Sequence, residues 1–592
     1  MNTTVLISLI VLIILIIAFI YVGIWFKRFA TTSEDFLLAG RGAPFWLLAS
    51  AYLGGYVGGA SVSGYVGLGF RSGISGMWAS LFVVSGCALF VVIFARRLNY
   101  FGRKTGAVTI TDFLCTRYGE AIRVPAGIIS LLRPTFLTGM QFLAIAIIAN
   151  IVFGLPIKIG VVVSAVIILL YLITAGQYSA LITQWFQSVL QAAGIVLFAV
   201  AAYKVVGDPN TVTNAFYEIL PETFVNMWSV DMSTFTVQLL TLGVFYLCDP
   251  WIYMWSYIGE SPKVSSNGML AVLGGSYYNV LPFLSGMAIL VGTMAGKLSV
   301  PEGLSDDAVY AWFTVNFTGT AIGVIILVGL LMTIISCGSS FAMNGVTIIT
   351  RDIYQKAINK NATDKQAVFA SRISLVIVTV IGIVSALWLP ILVPLWILAQ
   401  AIVISGLFAA TMSAWFWKRS TSKGAMASIL GGGIASLLWA LYVWFTTGSP
   451  GGTINGFHAV HVGMIVSIPL MIIVSLATKP EYELANVTSF KTLGEELKTS
   501  KLIKEEEKQT RGGFFGWLGA DTPAWKIFWI VVAVIFALHY ILGFLFHQQL
   551  IGIAMVWVAL IVGVVLFIIL AVLGGRDLGN MVKAGKELET KK

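Results

Sequence analysis

Long apolar runs, separated by short polar segments, follow one another along almost the whole chain. A run of about 20 apolar residues is long enough to cross a bilayer as a helix. The pattern therefore predicts an all-α integral membrane protein with about fifteen transmembrane helices. The predicted spans cover residues 4–26, 43–70, 74–98, 121–153, 156–175, 179–205, 236–258, 267–298, 320–356, 366–388, 391–417, 423–446, 458–477, 524–546 and 550–573.

Composition agrees with this pattern. The 592 residues are 58% hydrophobic and only 10% charged, whereas a soluble domain carries about 25% charged residues. The four cysteines are scattered without the spacing of a zinc site, so neither a disulfide framework nor a metal cofactor is expected. The net charge of +10 comes from basic residues in alternate loops, which are the loops on one predicted side of the membrane. This distribution indicates membrane orientation and not nucleic-acid binding.

The basic loops predict how the chain is oriented. Residues 96–123 hold six Lys and Arg residues, and the loop after Lys356 is basic as well, so both loops are expected in the cytoplasm. Residues 206–235 contain acidic residues but no Lys or Arg, so that loop is expected outside. This arrangement predicts a multi-pass protein of the plasma or inner membrane, with the N-terminus outside and the C-terminus in the cytoplasm.

Two of the predicted spans contain residues that disfavour a continuous helix. The second span is centred on "GGYVGG" (54–59), and the seventh has Asp249 and Pro250 side by side. Proline removes a backbone donor, and each glycine costs about 1 kcal/mol relative to alanine in a helix. Glycines also serve close helix packing, which is the alternative interpretation of the second span. Irregular backbone within a membrane is tolerated where it lines a polar cavity, so we expect both helices to be unwound around a shared site.

The two interrupted spans lie five spans apart, which fits two inverted repeats of five helices each. The flanking helices and the charged segment then fall outside the repeats. The predicted organisation is an extra helix and loop (1–42), a first repeat (43–235), a second repeat (236–417), two further helices (418–477), a charged cytoplasmic linker (478–523), and a C-terminal helix pair with a tail (524–592).

Four segments, in order along the chain, resemble motifs of the sodium:solute symporter family. They are "SEDFLLAGRGAPFWLLASA" (33–51), "TITDFLCTRYG" (109–119), "GQYSALITQWFQ" (176–187) and "SCGSSFAMNGVTIITRDIY" (336–354). The resemblance implies the leucine-transporter-type fold of two inverted repeats and transport by alternating access. It also implies a transporter and not an enzyme, so no catalytic residue is expected.

The same resemblance implies a sodium site between the first broken helix and the ninth span. The positions that match the ligands of the family are Gly54, Val57, Thr333, Ser336 and Cys337. Sodium prefers oxygen ligands, and a thiol is a soft, poor substitute for a hydroxyl. The chain departs from the family pattern at Cys337, at Gln184 in place of an aspartate, and at Tyr56 in place of Asn or Asp.

Two charged residues within predicted spans are candidates for the chemistry. A carboxylate within a membrane is costly unless it is paired or protonated, so Asp249 is predicted to satisfy the proline break, to carry a proton, or to pair with a cationic group. Arg133 needs an anion, which is either Asp249 or a substrate carboxylate, or else it reaches the membrane interface. The predicted substrate-binding residues are Tyr56, Ser61, Arg133, Gln141, Asp249, Trp251 and Tyr253.

These residues favour a small polar organic solute, such as an amino acid, amine or carboxylate, over a sugar. The predicted function is symport of that solute with a cation, with sodium favoured over a proton. An uncoupled facilitator or a sensor on the same scaffold is the alternative, and no ATP-binding motif such as a Walker loop supports an ATP-driven pump. The expected partners are the solute, the coupling ion and the lipid bilayer, and the chain is expected to be a monomer or a weak oligomer.

Overall fold

The computed structural model describes residues 3–26, 32–270, 277–449 and 451–500, together with a few residues between 557 and 579. The regular elements in these ranges are helical, and ten helices are long and apolar enough to cross a membrane. Two shorter apolar helices, Ile157–Leu170 and Tyr278–Met294, accompany them. The all-α membrane fold is confirmed, whereas the count of fifteen spans stays a prediction. The predicted span at 524–546 lies outside the described residues, as does most of the span at 550–573.

The described helices are numbered here in chain order, and several are joined by short 3-10 or π turns. Their bounds are α1 Thr3–Phe26, α2 Ser33–Leu38, α3 Phe45–Tyr56, α4 Tyr65–Ser72, α5 Met77–Phe90, α6 Arg96–Thr105, α7 Ile110–Tyr118, α8 Arg123–Phe153, α9 Ile157–Val206, α10 Pro209–Ile219, α11 Glu222–Val225, α12 Met232–Gln238, α13 Pro250–Ile258, α14 Pro262–Met269, α15 Tyr277–Met294, α16 Val309–Phe317, α17 Thr320–Ile348, α18 Asp364–Trp388, α19 Leu392–Phe416, α20 Ser422–Thr447, α21 Ala459–Ala477, α22 Tyr482–Thr488 and α23 Phe490–Thr499.

The outer helices turn large apolar side chains away from the protein. On α1, the side chains of Ile14, Ile17 and Tyr21 are 59%, 62% and 68% exposed. Soluble proteins rarely leave so continuous an apolar surface in contact with water. The exposed surface of α1 is therefore suited to lipid, which fits a multi-pass membrane protein.

The second predicted span is interrupted, as its glycines indicate. Helix α3 ends at Tyr56, and Val57 is extended with φ −88° and ψ 114°. A π turn, Ala60–Gly64, then leads into α4. The glycines also permit close packing, because a Cβ placed on Gly58 would lie only 2.4 Å from Sγ of Cys337. Both interpretations of the glycine cluster therefore hold at once.

The seventh predicted span is interrupted at Asp249. After α12 the chain passes through a π turn, Leu239–Gly243, and a 3-10 turn, Val244–Cys248. Asp249 is extended, with φ −71° and ψ 118°, and Pro250 is the first residue of α13. Proline suits the first position of a helix, because its missing N–H would have no helical partner there. The predicted interruption is therefore observed, and the proline begins a helix where it was expected to break one.

Helix α9 contains a sharp kink at Gly176, which separates two of the predicted spans. Gly176 has φ +56° and ψ −132°, a conformation that residues with a side chain rarely adopt. A Cβ at this position would also lie 2.6 Å from the carbonyl oxygen of Phe36. The glycine therefore lets α9 fold back against the segment that contains α2.

The two broken helices are joined at one end by backbone hydrogen bonds. The N–H of Ala43, just before α3, donates to the carbonyl of Ile258, and the N–H of Glu260 donates to the carbonyl of Ala43. The side chain of Arg103 reinforces this parallel bridge by donating to the carbonyl of Gly259 at 2.8 Å. The start of α3 and the end of α13 are therefore held side by side, which sets the relative position of the two breaks.

Candidate functional site

A cavity lies between the two breaks. Its volume is small, about 20 Å³. The rings of Tyr52 and Trp251 stack across the two broken helices with centroids 5.0 Å apart. The residues that line the cavity come from both broken helices, the turns beside them, α8, α17 and α19. They are Tyr56, Gly58, Ser61, Arg133, Leu137, Met140, Tyr246, Trp251, Cys337, Phe341 and Trp396.

Arg133 and Asp249 form an ion pair beside this cavity. Nη2 of Arg133 lies 3.1 Å from Oδ2 of Asp249, and the two side chains are 2% and 0% exposed. Arg133 lines the cavity, whereas Asp249 does not and lies behind it. Leaving either charge unpaired in such a buried place would be strongly unfavourable, so each residue explains the presence of the other.

Arg133 is only partly satisfied by this pair. Its Nε and Nη1 are buried and have no hydrogen-bond partner among the described residues. The guanidinium lies over aromatic rings, at 4.8 Å from the centroid of Phe341 and 5.1 Å from that of Phe245. Cation–π contacts of this kind stabilise the charge but do not use its N–H donors. Two donors of a permanent cation are therefore left available beside the cavity.

Asp249 also satisfies the break in its own helix. Its Oδ1 accepts a hydrogen bond of 2.9 Å from the N–H of Trp251, so the carboxylate is the N-cap of α13. A carboxylate is favoured at this position because the first N–H groups of a helix have no partner within it. The structural interpretation of Asp249 and its pairing with Arg133 therefore occur together, through different oxygens of one carboxylate.

The aromatic wall of the cavity is held in place by α17. The indole N–H groups of Trp251 and Trp255 both donate to the hydroxyl of Ser340, at 2.8 Å and 3.3 Å. Gly55 allows this close approach, because a Cβ there would lie 2.9 Å from Cβ of Ser340. These contacts fix the ring of Trp251 in the lining of the cavity.

Two glutamines satisfy the backbone of the first break. Oε1 of Gln141 accepts a 2.8 Å hydrogen bond from the N–H of Gly59, and Nε2 of Gln191 donates to the carbonyl of Val57 at 3.3 Å. The sequence predicted Gln141 as a substrate-binding residue, but the structure places it on the broken backbone and not in the cavity lining. Uncharged amides can satisfy an unwound segment without adding a buried charge.

The predicted sodium ligands are only partly brought together. Ser336 lies against the first break, since a Cβ on Gly54 would lie 2.7 Å from its Oγ and 3.2 Å from the carbonyl oxygen of Gln184. The Oγ of Ser336 and Oε1 of Gln184 are buried without a hydrogen-bond partner among the described residues. By contrast, Cys337 lines the cavity, and the hydroxyl of Thr333 donates to Gly329 within its own helix.

The remaining residues that were predicted to bind substrate fall into two groups. Tyr56, Ser61, Arg133 and Trp251 line the cavity. Tyr253 does not, because two residues along a helix turn the side chain by about 200°. Its hydroxyl instead accepts a 2.8 Å hydrogen bond from Trp415 in an aromatic cluster on the other side of α13.

Sequence reasoning predicted Cys337 on α17 as a sodium ligand, but it did not single out Phe341 on α17 or Trp396 on α19. Phe341 and Trp396 carry no polar signal, so nothing in an apolar span distinguishes them from packing residues. Ser340 stands in a run of small polar residues that the sequence did draw attention to, and its two tryptophan donors could have been suspected from that run.

A second buried charge cluster lies at the start of α8. Nη1 of Arg123 lies 2.8 Å from Oδ1 of Asp112 and 3.0 Å from Oδ1 of Asp352, while Nε lies 2.5 Å from Oε2 of Glu120. Arg351 adds a contact of 3.0 Å to Asp112. We refer to these five residues as the arginine latch. The latch ties α7, α8 and the turn Ile349–Ile358 together on the face of the protein that carries the basic loops.

Asp112 is held ionised by this cluster. Its burial alone would raise the pKa, but the neighbouring Arg351 and Arg123 outweigh the burial, and the pKa of Asp112 is lowered from its usual value. The N–H of Val108 also donates to Oδ2, at 2.9 Å. The latch is therefore a structural cluster in which Arg123 is paired with three carboxylates, unlike Arg133 at the cavity.

Comparison with known proteins identifies relatives of this arrangement. The family model described as "Sodium:solute symporter family" matches residues 36–432. The osmoregulated proline transporter OpuE of Bacillus subtilis is 25% identical over 483 residues, which cover 78% of this chain and 93% of the relative. The sodium/proline symporter of Staphylococcus aureus is 24% identical, over 81% of this chain and 93% of the relative.

A solved structure has the same fold. It is described as the substrate-bound, outward-open state of a Na⁺-coupled sialic acid symporter, and it superimposes with a TM-score of 0.66 at 18% identity. The match covers 80% of this chain and 98% of the other. At this identity the likeness concerns the fold alone.

Proposed function

The chain belongs to the sodium:solute symporter family, and from that premise we propose that it couples sodium entry to the uptake of a small solute that carries a carboxylate. Transport proceeds by alternating access to the cavity between the two broken helices. The observation that carries the proposal is the pair of unpartnered donors on Arg133, which are buried next to that cavity.

A carboxylate is the ligand that these donors fit best. Hydrogen bonds from a guanidinium N–H to a carboxylate oxygen are charge-assisted and about twice as strong as those between neutral groups. Arg133 keeps its proton under all physiological conditions, so the cavity always offers a positive donor. A sugar would offer no anionic oxygen to the unused Nε and Nη1 donors, which supports the preference for a carboxylate.

The rest of the cavity favours a small solute with an apolar or ring-shaped body. Apart from Arg133, its walls are formed largely by aromatic and aliphatic side chains, among them Tyr56, Trp251, Phe341 and Trp396. Two relatives are named for proline, whose carboxylate and apolar ring have these properties. An ammonium group on such a solute would also be favoured by the faces of the aromatic rings. We therefore propose an amino acid or a simple carboxylate as substrate.

The coupling ion is proposed to bind beside the first break. Sodium is a hard cation and prefers oxygen, which unwound backbone can supply without added charge. Ser336 Oγ and Gln184 Oε1 are two buried oxygens without partners beside Gly54. We propose that these two oxygens bind sodium with the carbonyls of the break, and that Cys337 takes no part because its thiol is a soft, poor ligand for sodium.

Uptake by reconstituted protein tests the proposal. Proteoliposomes are supplied with an inward sodium gradient and with radiolabelled L-proline, pyruvate, or their carboxylate-free analogues L-prolinamide and hydroxyacetone. We expect at least one carboxylate to accumulate only with the sodium gradient, and its analogue not to accumulate. Accumulation of glucose or galactose, or uptake of a carboxylate that is unchanged in Arg133→Gln, would contradict the proposal. Equilibration without accumulation would instead indicate an uncoupled facilitator.

A further inference from the structure

The pair at the cavity raises a problem of charge balance when a carboxylate binds. Without substrate, the positive charge of Arg133 is balanced by Asp249. A carboxylate on the free donors of Arg133 would bring a second negative charge to a buried site. Uncompensated charge in such surroundings costs several kcal/mol. Substrate binding therefore favours a further positive charge close to the pair itself, in addition to the sodium ion proposed beside the first break.

A proton is the cation that the surroundings of Asp249 admit. The side chain is fully buried, does not line the cavity, and already uses Oδ1 as the cap of α13. A sodium ion or an ammonium group would need space beside Oδ2, where Arg133 lies. A proton needs only the oxygen itself, and a protonated carboxyl group can keep its hydrogen bond from Trp251 through Oδ1.

No other group around the pair can change its charge near neutral pH. The ionisable residues that face Asp249 are Tyr52 on α3, Cys87 on α5, Arg133 on α8, and Tyr246 and Cys248 on its own element. Helix α17 adds Cys337 beside Arg133, and α19 contains no ionisable residue. Ordinary thiols and phenols lose their protons only at about pH 8.5 and 10, and arginine keeps its own. Among the described residues, Asp249 is therefore the group that can absorb the change.

We propose that a bound substrate carboxylate takes over Arg133 as its counter-ion and that Asp249 then binds one proton, so that carboxylate and proton enter the site together. The proton comes from solvent and binds Oδ2, the oxygen that faces Arg133. No other bond is made or broken, and the net charge of the cluster stays at zero. The inference rests on the proposed function, because it requires a carboxylate on Arg133, but it adds a proton to the coupling and does not replace sodium.

Proton uptake on binding tests this directly. Purified protein in nanodiscs and weak buffer with a pH indicator is mixed with L-proline and, separately, with pyruvate. We expect about one proton to be taken up for each carboxylate that binds, and none with L-prolinamide. By linkage, the Kd for the carboxylate rises about tenfold for each unit of pH increase, at pH values where Asp249 is ionised in the free protein.

Asp249→Asn is the decisive variant, because asparagine keeps the cap and removes the titration. We expect it to bind the carboxylate with a Kd that does not change with pH, and to take up no proton. Asp208→Asn, at an exposed helix cap, is the matched control and should behave like the unchanged protein. If Asp249→Asn does not fold, calorimetric titration of the unchanged protein in two buffers with different ionisation enthalpies counts the protons instead.

The outcomes separate this inference from the proposed function. Carboxylate binding without proton uptake, or equal proton uptake in Asp249→Asn, overturns the inference and leaves the proposed function standing. Failure of both carboxylates to bind, while L-prolinamide or hydroxyacetone does bind, overturns the two together. Binding with one proton, abolished in Asp249→Asn, supports both.

Discussion

Helix α8 carries two buried arginines, and they differ in how fully they are paired. Arg123 contacts three carboxylates, from Asp112, Glu120 and Asp352, and its donors are used. Arg133, ten residues further along, contacts one carboxylate, and its Nε and Nη1 have no hydrogen-bond partner within the part of the chain that the structure describes. The arginine latch joins parts of the structure, whereas the unused donors of Arg133 beside a cavity support the proposed binding of a ligand. Burial and charge alone do not distinguish the two arginines, but the count of their partners does.

Replacing Arg133 should have the largest effect on transport, and it should also lower stability because Asp249 loses its buried partner. Arg133→Gln removes two charge-assisted hydrogen bonds to the substrate, each worth about 1.5–3 kcal/mol, so carboxylate uptake should fall by a factor of about 100 or more. Uptake into proteoliposomes measures this loss. Arg133→Lys, which keeps the charge but loses the paired geometry, should retain part of the activity. Full uptake by Arg133→Gln would show that the two arginines do not differ in function.

Replacing Arg123 should instead lower the stability of the protein. Arg123→Gln leaves Asp112 and Asp352 buried side by side, so the free energy of unfolding should drop by about 3 kcal/mol. Thermal unfolding in detergent measures the change. The KM for substrate should stay the same in the protein that remains folded. Arg351→Gln, whose side chain is partly exposed, should destabilise less and serves as the matched control. A changed KM with unchanged stability would contradict the assignment of a structural role.

A third variant tests whether the cation site is separate from Arg133. Ser336→Ala removes one of the proposed sodium oxygens, so the sodium concentration for half-maximal uptake should rise about tenfold, as expected for the loss of one ligand contact. The KM for substrate at saturating sodium should change little. Ser285→Ala is the control, because its hydroxyl donates to Leu281 within its own helix. An unchanged sodium dependence would place the ion elsewhere.

The smallest expected effect is the response of the arginine latch to acid. The pKa of Asp112 is lowered in the folded protein, so its ionised form contributes stability that is fully present above the ordinary value of about 3.9. That contribution is lost as the pH falls through the lower, folded pKa. The melting temperature of the unchanged protein should therefore drop in this acid range, and the melting temperature of Asp112→Asn should drop less. Equal acid sensitivity of the two proteins would remove Asp112 from the latch.

The sequence predicted the two breaks because glycine and proline act locally. The backbone at Val57 and Asp249 departs from a helix for reasons that are visible in the residues themselves, namely clustered glycines and a proline after a cap residue. Arg133 and Asp249 were recognisable as well, since charges within apolar runs are rare. Their mutual pairing was one of several alternatives, because the distance between α8 and the second break depends on the packing of the whole bundle.

Other parts of the site could not be read from the sequence. Tyr253 and Trp251 are two residues apart, and which of them faces the cavity depends on the rotation of α13 about its axis. Cys337 and Ser336 are adjacent in sequence, yet Cys337 lines the cavity and Ser336 lies beside Gly54. The rotation of α17 about its axis decides this in the same way. Phe341 and Trp396 join the site only through tertiary packing. Orientation of side chains around a helix is thus the information that the pattern lacks.

The backbone bridge between Ala43 and Gly259 restricts how the transporter can move. Because the leading end of α3 and the trailing end of α13 share main-chain hydrogen bonds, neither half-helix can swing outward on its own while those bonds last. The two segments are linked as one unit. Release of solute toward the basic face therefore requires either that the unit moves as a whole or that these hydrogen bonds break. Arg103, which donates a hydrogen bond to the carbonyl of Gly259, lies at this link between the two segments.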